Sequence, residues 1–298
     1  MNAQPVACIL AATDFSPRSA HVAGRAAALA LQLGARLILA HVLPAAAAPR
    51  MSLAVTGRQR MRPLLSRLGL AGRAMTPAVA RDRLQALAAT LPVPAEIRVL
   101  QGKAESVLAA NVAELGADLL VLGLHRERRV LDALRLTTME RIVLAAPVPV
   151  LISHQPSGQA YRQVLALTDF SPGSAAALRM AARLAPEGRF HAVCALPPSL
   201  PLVTAVAGAD TPPDDTLTQA EMMRAAFLAL PGLPDFVAPP VLVPGGVHEV
   251  LEFRRAELGA DLICIGTHSG REPGRLGHYA RDLMRAPPTD LLIAKPDH

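Results

Sequence analysis

Short apolar runs alternate along the chain with segments that carry helix-start and helix-end residues. Residues 7–12 form an apolar run of strand length, which is typical of a strand buried in a parallel sheet. Ser16 and Pro17 follow, and these residue types favour a helix cap and a first helical residue. We predict a helix from there to about Leu33, ended by Gly34. The chain thus begins with a strand followed by a helix.

The same alternation continues to the end of the chain. In the first half, further strands are predicted at residues 36–42, 95–100, 118–122 and 148–153. Helices are predicted there at residues 77–90, 105–115 and 137–145. In the second half, strands are predicted near residues 163–167, 189–195, 237–243, 261–265 and 290–294. Strands that alternate with helices predict an α/β fold, in which right-handed crossovers place helices on both faces of a parallel sheet.

Two segments occur twice and in the same order. Ala-Thr-Asp-Phe-Ser-Pro-Arg-Ser-Ala at residues 12–20 matches Leu-Thr-Asp-Phe-Ser-Pro-Gly-Ser-Ala at 167–175. Glu-Leu-Gly-Ala-Asp-Leu-Leu-Val-Leu-Gly at residues 114–123 matches Glu-Leu-Gly-Ala-Asp-Leu-Ile-Cys-Ile-Gly at 257–266. The chain is therefore predicted to be a tandem of two copies of one domain. Copy one is placed at residues 1–153 and copy two at residues 161–298, with a linker between them.

The composition fits a sizeable apolar core and excludes wholesale disorder. Of the 298 residues, 51% are hydrophobic but only 3% are aromatic, so the core must consist mainly of aliphatic side chains. Cys8, Cys194 and Cys264 lie in separate apolar runs without zinc-site spacing, which indicates buried thiols in a reducing compartment. The N-terminus lacks a signal-peptide pattern, and no apolar run reaches the length of a membrane span. We therefore expect a cytoplasmic protein without membrane association.

Charge is unevenly divided between the two halves. Residues 1–150 carry 18 basic and 9 acidic residues, whereas residues 151–298 carry 12 and 15, so opposite net charges favour docking of the copies. The densest basic segment is Arg50–Arg83. One interpretation is a patch for an anionic partner such as a nucleic acid, and the other is a solvated helix face. The segment has no aromatic residues that could stack on bases, which favours the solvated face.

Four residues mark the edge of the sheet where a ligand is expected. In open α/β sheets, ligands bind beyond the carboxyl ends of the strands. Asp14 and Asp169 end the first predicted strand of their copies, and Gly123 and Gly266 end the fourth. A ligand site at this edge is therefore expected in each copy.

Taken together, several segments resemble those of the universal stress protein family. They are the two Thr-Asp-Phe-Ser turns, His41-Val42, the repeated Gly-Ala-Asp segment of the fourth strand, and Ala-Pro-Val-Pro-Val-Leu-Ile at residues 146–152. The resemblance covers almost the whole chain. It implies two Rossmann-like (HUP-type) domains, each a five-stranded parallel sheet with helices on both faces. It also implies a non-catalytic binding module of the stress response.

The ATP-binding branch of this family carries a glycine motif after the fourth strand. The motif is Gly-x-x-Gly, nine residues, then Gly-Ser or Gly-Thr, and its glycines let backbone N–H groups approach phosphates. In copy one, Gly123 matches the first glycine and Thr137 the hydroxyl, but Arg126 and Leu136 replace the other glycines. The resemblance implies an ATP site, with Mg²⁺ held mainly through the phosphates. The replacement of two glycines by Arg126 and Leu136 is expected to weaken or abolish ATP binding at this site.

The corresponding loop of copy two is richer in glycine but has different spacing. Gly266 matches the first glycine, and Ser269 or Gly270 takes the second position. When Pro288 is aligned with Pro147, Gly277-His278 falls at the Gly-hydroxyl position, so the hydroxyl is lost. His278 is either a donor to a phosphate or an ordinary helix-start residue.

Three further positions are carried over from the family with an alternative for each. Asp14 and Asp169 match the aspartate near the ribose or adenine, and the alternative is that they only accept backbone N–H groups at the helix start. Val42 matches a position whose backbone faces adenine, and the alternative is a core residue. The segment of copy two that corresponds to Val42 is Cys194-Ala195.

Three histidines are interpreted as structural. His125 and His268 recur at the same place after the fourth strand, where a ligand-facing or pH-sensitive role is the alternative to loop packing. His41 ends an apolar strand and is expected to support the fold.

Two questions of function and assembly stay open at this point. A slow ATPase or another nucleotide-dependent enzyme of the same fold is the alternative to a binding module, although the sequence has no Walker, Gly-x-Gly-x-x-Gly or Gly-x-Ser-x-Gly motif. Family members pair their fifth strands across a two-fold axis. Residues 148–152 and 290–294 are therefore expected to pair within one chain, as an internal pseudo-dimer. Such chains would be monomers or homodimers, with protein partners that the sequence does not name.

Overall fold

The computed structural model describes residues 5–16, 20–45, 75–124, 136–154, 158–196, 215–267 and 276–296. In these ranges, copy one contains β1 (Cys8–Ala12), α1 (Ala20–Leu33), β2 (Arg36–Leu43), α2 (Pro77–Ala88), β3 (Ala95–Gln101), α3 (Ala104–Leu115), β4 (Leu119–Gly123), α4 (Thr138–Ala145) and β5 (Val150–Ser153). Copy two contains β6 (Gln163–Leu167), α5 (Pro172–Leu184), β7 (Arg189–Leu196), α6 (Asp215–Leu228), β8 (Val241–Pro244), α7 (Val247–Leu258), β9 (Leu262–Gly266), α8 (His278–Arg285) and β10 (Asp290–Ala294).

The described strands form one sheet of ten, in the order β3-β2-β1-β4-β5-β10-β9-β6-β7-β8. Neighbouring strands within each copy are parallel. Strands β5 and β10 are antiparallel, with Leu151 opposite Leu292. The predicted α/β fold is therefore confirmed, and the fifth strands pair within one chain as expected. This pairing covers one sheet edge of each copy, which would otherwise expose unpaired backbone groups.

Helices cover both faces of the sheet and enclose two apolar clusters. One face packs against α1, α2, α5 and α6, and strand residues such as Ile9 and Ala166 point to it. The other face packs against α3, α4, α7 and α8, and the neighbouring residues Leu10 and Leu165 point there. Both clusters contain residues of both copies, so the two copies share a continuous core on each face. No helix in the described ranges is long and apolar enough to cross a membrane.

Glycine and proline set several element boundaries. Gly116 follows α3 with φ of 61°, a left-handed conformation that suits glycine and ends the helix as predicted. Strand β5 begins at Val150 and not at residue 148, because Pro149 has no N–H to donate to a sheet. Strand β8 begins at Val241 and not near residue 237, since Pro239 and Pro240 precede it.

A buried ion pair joins the copies beside the β5–β10 pairing. The carboxylate of Asp290 (1% exposed) lies 2.8 Å from Nε of Arg25 in α1 (4% exposed). It also accepts hydrogen bonds from the Tyr161 hydroxyl at 2.6 Å and from the His154 N–H at 2.7 Å. Arg25 donates in addition to the carbonyl oxygen of Gln159 in the linker, at 2.6 Å. Copy one, the linker and copy two therefore share one buried polar network.

The three cysteines are free thiols and all are buried, as the sequence predicts. Burial raises the pKa of the Cys264 thiol. Burial, and then the negative charge of Asp169, raise the pKa of Cys194 to about 11. Because the thiolate is the reactive form, Cys194 and Cys264 are poor nucleophiles at neutral pH.

Candidate functional site

The turn after β1 places Asp14 at the carboxyl edge of the sheet through a strained backbone. Phe15 has φ of 59°, which residues other than glycine rarely adopt. Thr13 Oγ1 accepts the Phe15 N–H at 3.1 Å, and Asp14 Oδ1 accepts the Ser16 N–H at 2.9 Å. These bonds hold the strained residue in place. Asp14 thus has the structural role given as its alternative, while its exposed carboxylate also borders the cavity described below.

The turn after β6 repeats this geometry and continues into a capped helix. Phe170 has φ of 61°, and Thr168 Oγ1 accepts its N–H at 2.8 Å. Asp169 Oδ1 accepts the Ser171 N–H at 3.0 Å and the Ser174 hydroxyl at 2.7 Å. Ser171 caps α5 and a proline follows it, which confirms the Ser-Pro helix start in copy two. In copy one, the proline of this motif lies outside the described residues.

His41 supports the β1 turn, as expected from its position. Its Nδ1 lies 2.7 Å from the carbonyl oxygen of Thr13, and since a carbonyl oxygen only accepts, Nδ1 carries the proton. Its ring centroid lies 4.4 Å from that of Phe15. The buried His41 therefore holds both the start and the strained residue of the turn, and it also lines the adjacent cavity.

A cavity of about 240 Å³ opens at the carboxyl ends of β1, β2 and β4 in copy one. Four of the predicted site residues border it, namely Asp14, Val42, Gly123 and Thr137. Apolar side chains that were not predicted as site residues form much of the remaining wall, among them Ala104, Leu108, Met139 and Ile142. Copy one thus brings together a carboxylate, a glycine at a strand end, a hydroxyl at a helix start and an apolar wall.

The hydroxyl of this site belongs to a capping box at the start of α4. Thr137 Oγ1 accepts the Glu140 N–H at 3.2 Å, and the Glu140 carboxylate accepts the Thr137 N–H at 2.7 Å. Glu140 is fully buried. Glu140 was not among the predicted site residues, although Thr-x-x-Glu at residues 137–140 is the signal of such a box.

Two arginines of copy two approach the same carboxylate. Arg281 Nε lies 3.3 Å and Arg285 Nη2 lies 3.5 Å from Glu140 Oε1. Both arginines lie on α8, so a contact across the two copies reaches a residue that caps the site of copy one. No sequence signal announces this contact, because it depends on the placement of α4 beside α8.

The cavity of copy two is smaller, at about 180 Å³, and is built differently. Asp169, Gly266, Gly277 and the segment Cys194-Ala195 border it. A Cβ atom at Gly266 would lie 2.9 Å from backbone atoms at the start of α5. Glycine is therefore required at residue 266 for helix packing, independently of any ligand.

The predicted alignment of copy two with copy one is wrong by one residue at the start of α8. Gly277 is the cap residue of α8, as Thr137 is of α4, and His278 is the first helical residue. From the helix cap to the end of the last strand, copy two is one residue longer than copy one. This additional residue lies between α8 and β10, whereas the alignment of Pro288 with Pro147 had placed it before the helix. Gly277 therefore occupies the hydroxyl position, and the exposed His278 does not border the cavity.

Tyr279 takes the place in copy two that Met139 has in copy one, and it narrows the cavity. Its ring packs edge-on to His248 with centroids 4.8 Å apart. Its hydroxyl oxygen is buried and has no hydrogen-bond partner among the described residues. Burial raises the pKa of this hydroxyl strongly, so it stays protonated.

Several predicted positions lie outside the described residues, namely Arg126, Gly270, His125, His268 and residues 50–74 of the basic segment. Of the rest of that segment, Arg83 on α2 is exposed, with its guanidinium 5.7 Å from the ring centroid of Phe15. Within the described ranges, His, Cys, Asp and Glu form no group of three that could hold a metal ion.

Comparisons with known proteins relate both copies to one family. The model of the universal stress protein family matches residues 8–154 and 160–295. A universal stress protein from Archaeoglobus fulgidus DSM 4304 has a similar structure, with a TM-score of 0.60 and 15% identity over 98% of this chain and 97% of that chain. A functionally unknown protein from Pseudomonas aeruginosa PAO1 is also similar, with a TM-score of 0.59 and 15% identity over 98% of this chain and 93% of that chain. No curated protein sequence matches significantly. Because the family model matches both copies, this chain belongs to the universal stress protein family, with two of its domains in tandem.

Proposed function

We propose that the chain is a cytoplasmic, non-catalytic binding module of the stress response, and that copy one holds an adenine nucleotide. ATP, with Mg²⁺ held mainly through its phosphates, is the first candidate. The observation that carries this proposal is that Asp14, Val42, Gly123 and Thr137 all border one cavity of copy one. These residues are far apart in sequence, so the fold places them around one space.

The residues of the cavity fit the parts of a nucleotide. Leu108, Met139 and the other apolar side chains suit a base, and the Asp14 carboxylate can accept from ribose hydroxyls. Thr137 at the start of α4 suits a phosphate, because the helix N-terminus favours negative charge. The volume of about 240 Å³ lies below the roughly 300–1,000 Å³ of typical ligand pockets, so the described walls enclose part of a nucleotide.

The residue before the cap of α4 is expected to reduce the affinity for ATP. Leu136 stands before the helix cap where the ATP-binding branch has glycine. Its Cβ keeps a phosphate farther from the backbone N–H groups than glycine would. We therefore expect weaker binding than in a site with the complete glycine motif.

The geometry of copy two supports one nucleotide per chain. Gly277 supplies no hydroxyl at the helix start, and Tyr279 narrows a cavity that is already smaller. Both differences make copy two a poorer nucleotide site than copy one.

The proposal that copy one binds ATP without hydrolysing it is supported by the contacts of two polar groups beside the cavity, which both bond to the backbone. His41 Nδ1 is bonded to a backbone carbonyl, and Asp14 accepts a backbone N–H. Each group therefore has a structural partner in the β1 turn, whereas a general base is held beside the nucleophile that it deprotonates. A steady-state ATPase assay tests this point, and turnover of about 1 per second or faster, as in ordinary enzymes, would overturn it.

The binding proposal is tested with a matched pair of variants. Asp14→Asn alters the carboxylate of copy one, and Asp169→Asn makes the same change in copy two. Isothermal titration with ATP and Mg²⁺ should give one site per chain, with weaker binding in Asp14→Asn and unchanged binding in Asp169→Asn. The absence of binding to the wild-type chain, or an equal loss in both variants, would contradict the proposal. Mass analysis of nucleotide released from denatured protein identifies any ligand that copurifies.

A further inference from the structure

Glu140 is a fully buried carboxylate that both copies hold in place. Within copy one, Oε2 accepts the Thr137 N–H at 2.7 Å. From copy two, Arg281 and Arg285 approach Oε1 at 3.3 and 3.5 Å. The exposed fractions of the two arginines are 24% and 40%, so they bring positive charge from the surface to a buried anion.

We propose that Arg281 and Arg285 of copy two are positioning residues for the nucleotide site of copy one. This inference rests on the function proposed above, because it concerns the same cavity. Thr137 links the two observations, since it borders the cavity and is bonded to Glu140 through both its N–H and its Oγ1. Oγ1 accepts the Glu140 N–H, so its own proton points away from that group and can be donated to an anion.

The arginines act by compensating the buried negative charge of Glu140. A buried carboxylate that loses its cations is destabilised in its place and is expected to shift toward water. Such a shift lengthens the hydrogen bond that Glu140 accepts from the Thr137 N–H. Loss of both arginines is therefore expected to loosen the first turn of α4, and with it the orientation of the Thr137 hydroxyl.

The arginine contact links the site of copy one to copy two, and the corresponding positions of the opposite copies differ. Copy two has Ala280 at the position that Glu140 holds in copy one, counted from the helix caps Gly277 and Thr137. Arg141 is the copy-one counterpart of Arg281, and it lies 3.5 Å from Glu105 of its own copy. The site of copy one is thus completed by copy two, whereas the cavity of copy two receives no corresponding arginine contact among the described residues.

The test compares ATP affinity in four versions of the full chain. Arg281→Met with Arg285→Met removes both positive charges, and Arg281→Lys with Arg285→Lys keeps them. Arg254→Met is the matched control, because Arg254 pairs with Glu257 at 2.8 Å within copy two alone. Titration with ATP and Mg²⁺ should show about tenfold weaker binding in the double Met variant, which corresponds to about 1.4 kcal/mol. The double Lys variant should stay within about threefold of wild type, and the control should be unchanged.

The outcomes separate this inference from the proposal beneath it. If the wild-type chain binds ATP and the double Met variant binds it equally well, the positioning role is wrong and the nucleotide site stands. Loss of unfolding free energy without loss of affinity also overturns the positioning role, because it shows a structural contact alone. If the wild-type chain binds no nucleotide, the proposed function and this inference fall together. If the double Met variant does not fold, Arg281→Gln is measured in its place against the same control.

Discussion

The buried pair of Arg25 and Asp290 yields a prediction whose magnitude follows from the structure. The charged atoms are 2.8 Å apart and the side chains are 4% and 1% exposed, so both charges are almost fully removed from water. Removing one partner of a buried pair leaves the other charge uncompensated, which costs about 3–5 kcal/mol. We therefore expect Arg25→Met to lower the free energy of unfolding by about 3–5 kcal/mol, a large share of the roughly 5–15 kcal/mol of a typical protein.

The choice of methionine comes from the chain itself. Arg25 stands nine residues after Ser16 in copy one, and Met180 stands nine residues after Ser171 in copy two. Met180 is buried in α5, so this position of the fold accepts a methionine side chain. The loss in Arg25→Met is therefore expected to come from the charge left on Asp290 and not from poor packing.

A double variant separates this cause from a general loss of contacts. Asp290→Asn removes the remaining charge and keeps a side-chain oxygen that can accept from Tyr161 or His154. Arg25→Met with Asp290→Asn should lose less than about 2 kcal/mol, which is less than either single variant, because no unpaired charge remains. Arg162→Met is the control, since the Arg162–Glu187 pair is exposed and should contribute less than about 1 kcal/mol.

Urea unfolding followed by far-ultraviolet circular dichroism gives the free energies, provided that the slopes of the transitions agree. If Arg25→Met loses less than about 1 kcal/mol, the pair is not desolvated as described. If the losses of the two single variants simply add in the double variant, the two charges do not interact and the reasoning is refuted.

Three further predictions concern the sheet, the helix packing and the thiols. Val150→Pro should destabilise the chain by about 1–3 kcal/mol in urea unfolding, since proline has no N–H and leaves a buried acceptor of the sheet unpaired. Unchanged stability would contradict the pairing of β5 with β10. Gly266→Ala should be destabilising, because the new Cβ would lie 2.9 Å from backbone atoms of α5. Gly24→Ala lies in a helix with open space around the new Cβ, so it should raise the free energy of unfolding by about 0.5–1 kcal/mol. A loss of stability in both variants would refute the packing argument. Cys194 and Cys264 should resist iodoacetamide at pH 8 in the native chain and react in urea, as mass spectrometry would show, and rapid native alkylation would disprove their raised pKa values.

Much of the architecture is local enough to be predicted. Apolar runs of strand length, helix-start residues and glycines at helix ends depend on neighbours in sequence. They placed the ten strands and the four helices of copy one within a few residues of their observed bounds. The errors lie where proline interrupts an apolar run, as at Pro149 and at Pro239-Pro240. The repeated segments added the tandem organisation, because two copies of one sequence pattern form two copies of one fold.

The candidate site was predicted in part. Asp14 and Gly123 could be named because each ends a strand, and such positions meet at one edge of a parallel sheet. Thr137 was named from its match to the glycine motif of the family. The apolar wall around Leu108 and Met139 could not, since an inward-facing residue of a helix has the same pattern whether it lines a cavity or fills a core. The alignment of Gly277 was wrong by one residue, because sequence alone does not show on which side of a short helix an additional residue lies.

The order of helices and strands, the repeat and the edge at which a ligand would bind follow from the sequence alone, because they rest on periodicity and on residue types at element ends. The charged contacts between the copies were decided by the tertiary structure. Glu140 and Arg281, and likewise Arg25 and Asp290, are separated by more than a hundred residues and meet only after β5 pairs with β10. Each of these charges is unfavourable in an apolar setting until its partner arrives, so its role is a property of the assembled sheet and not of its own segment.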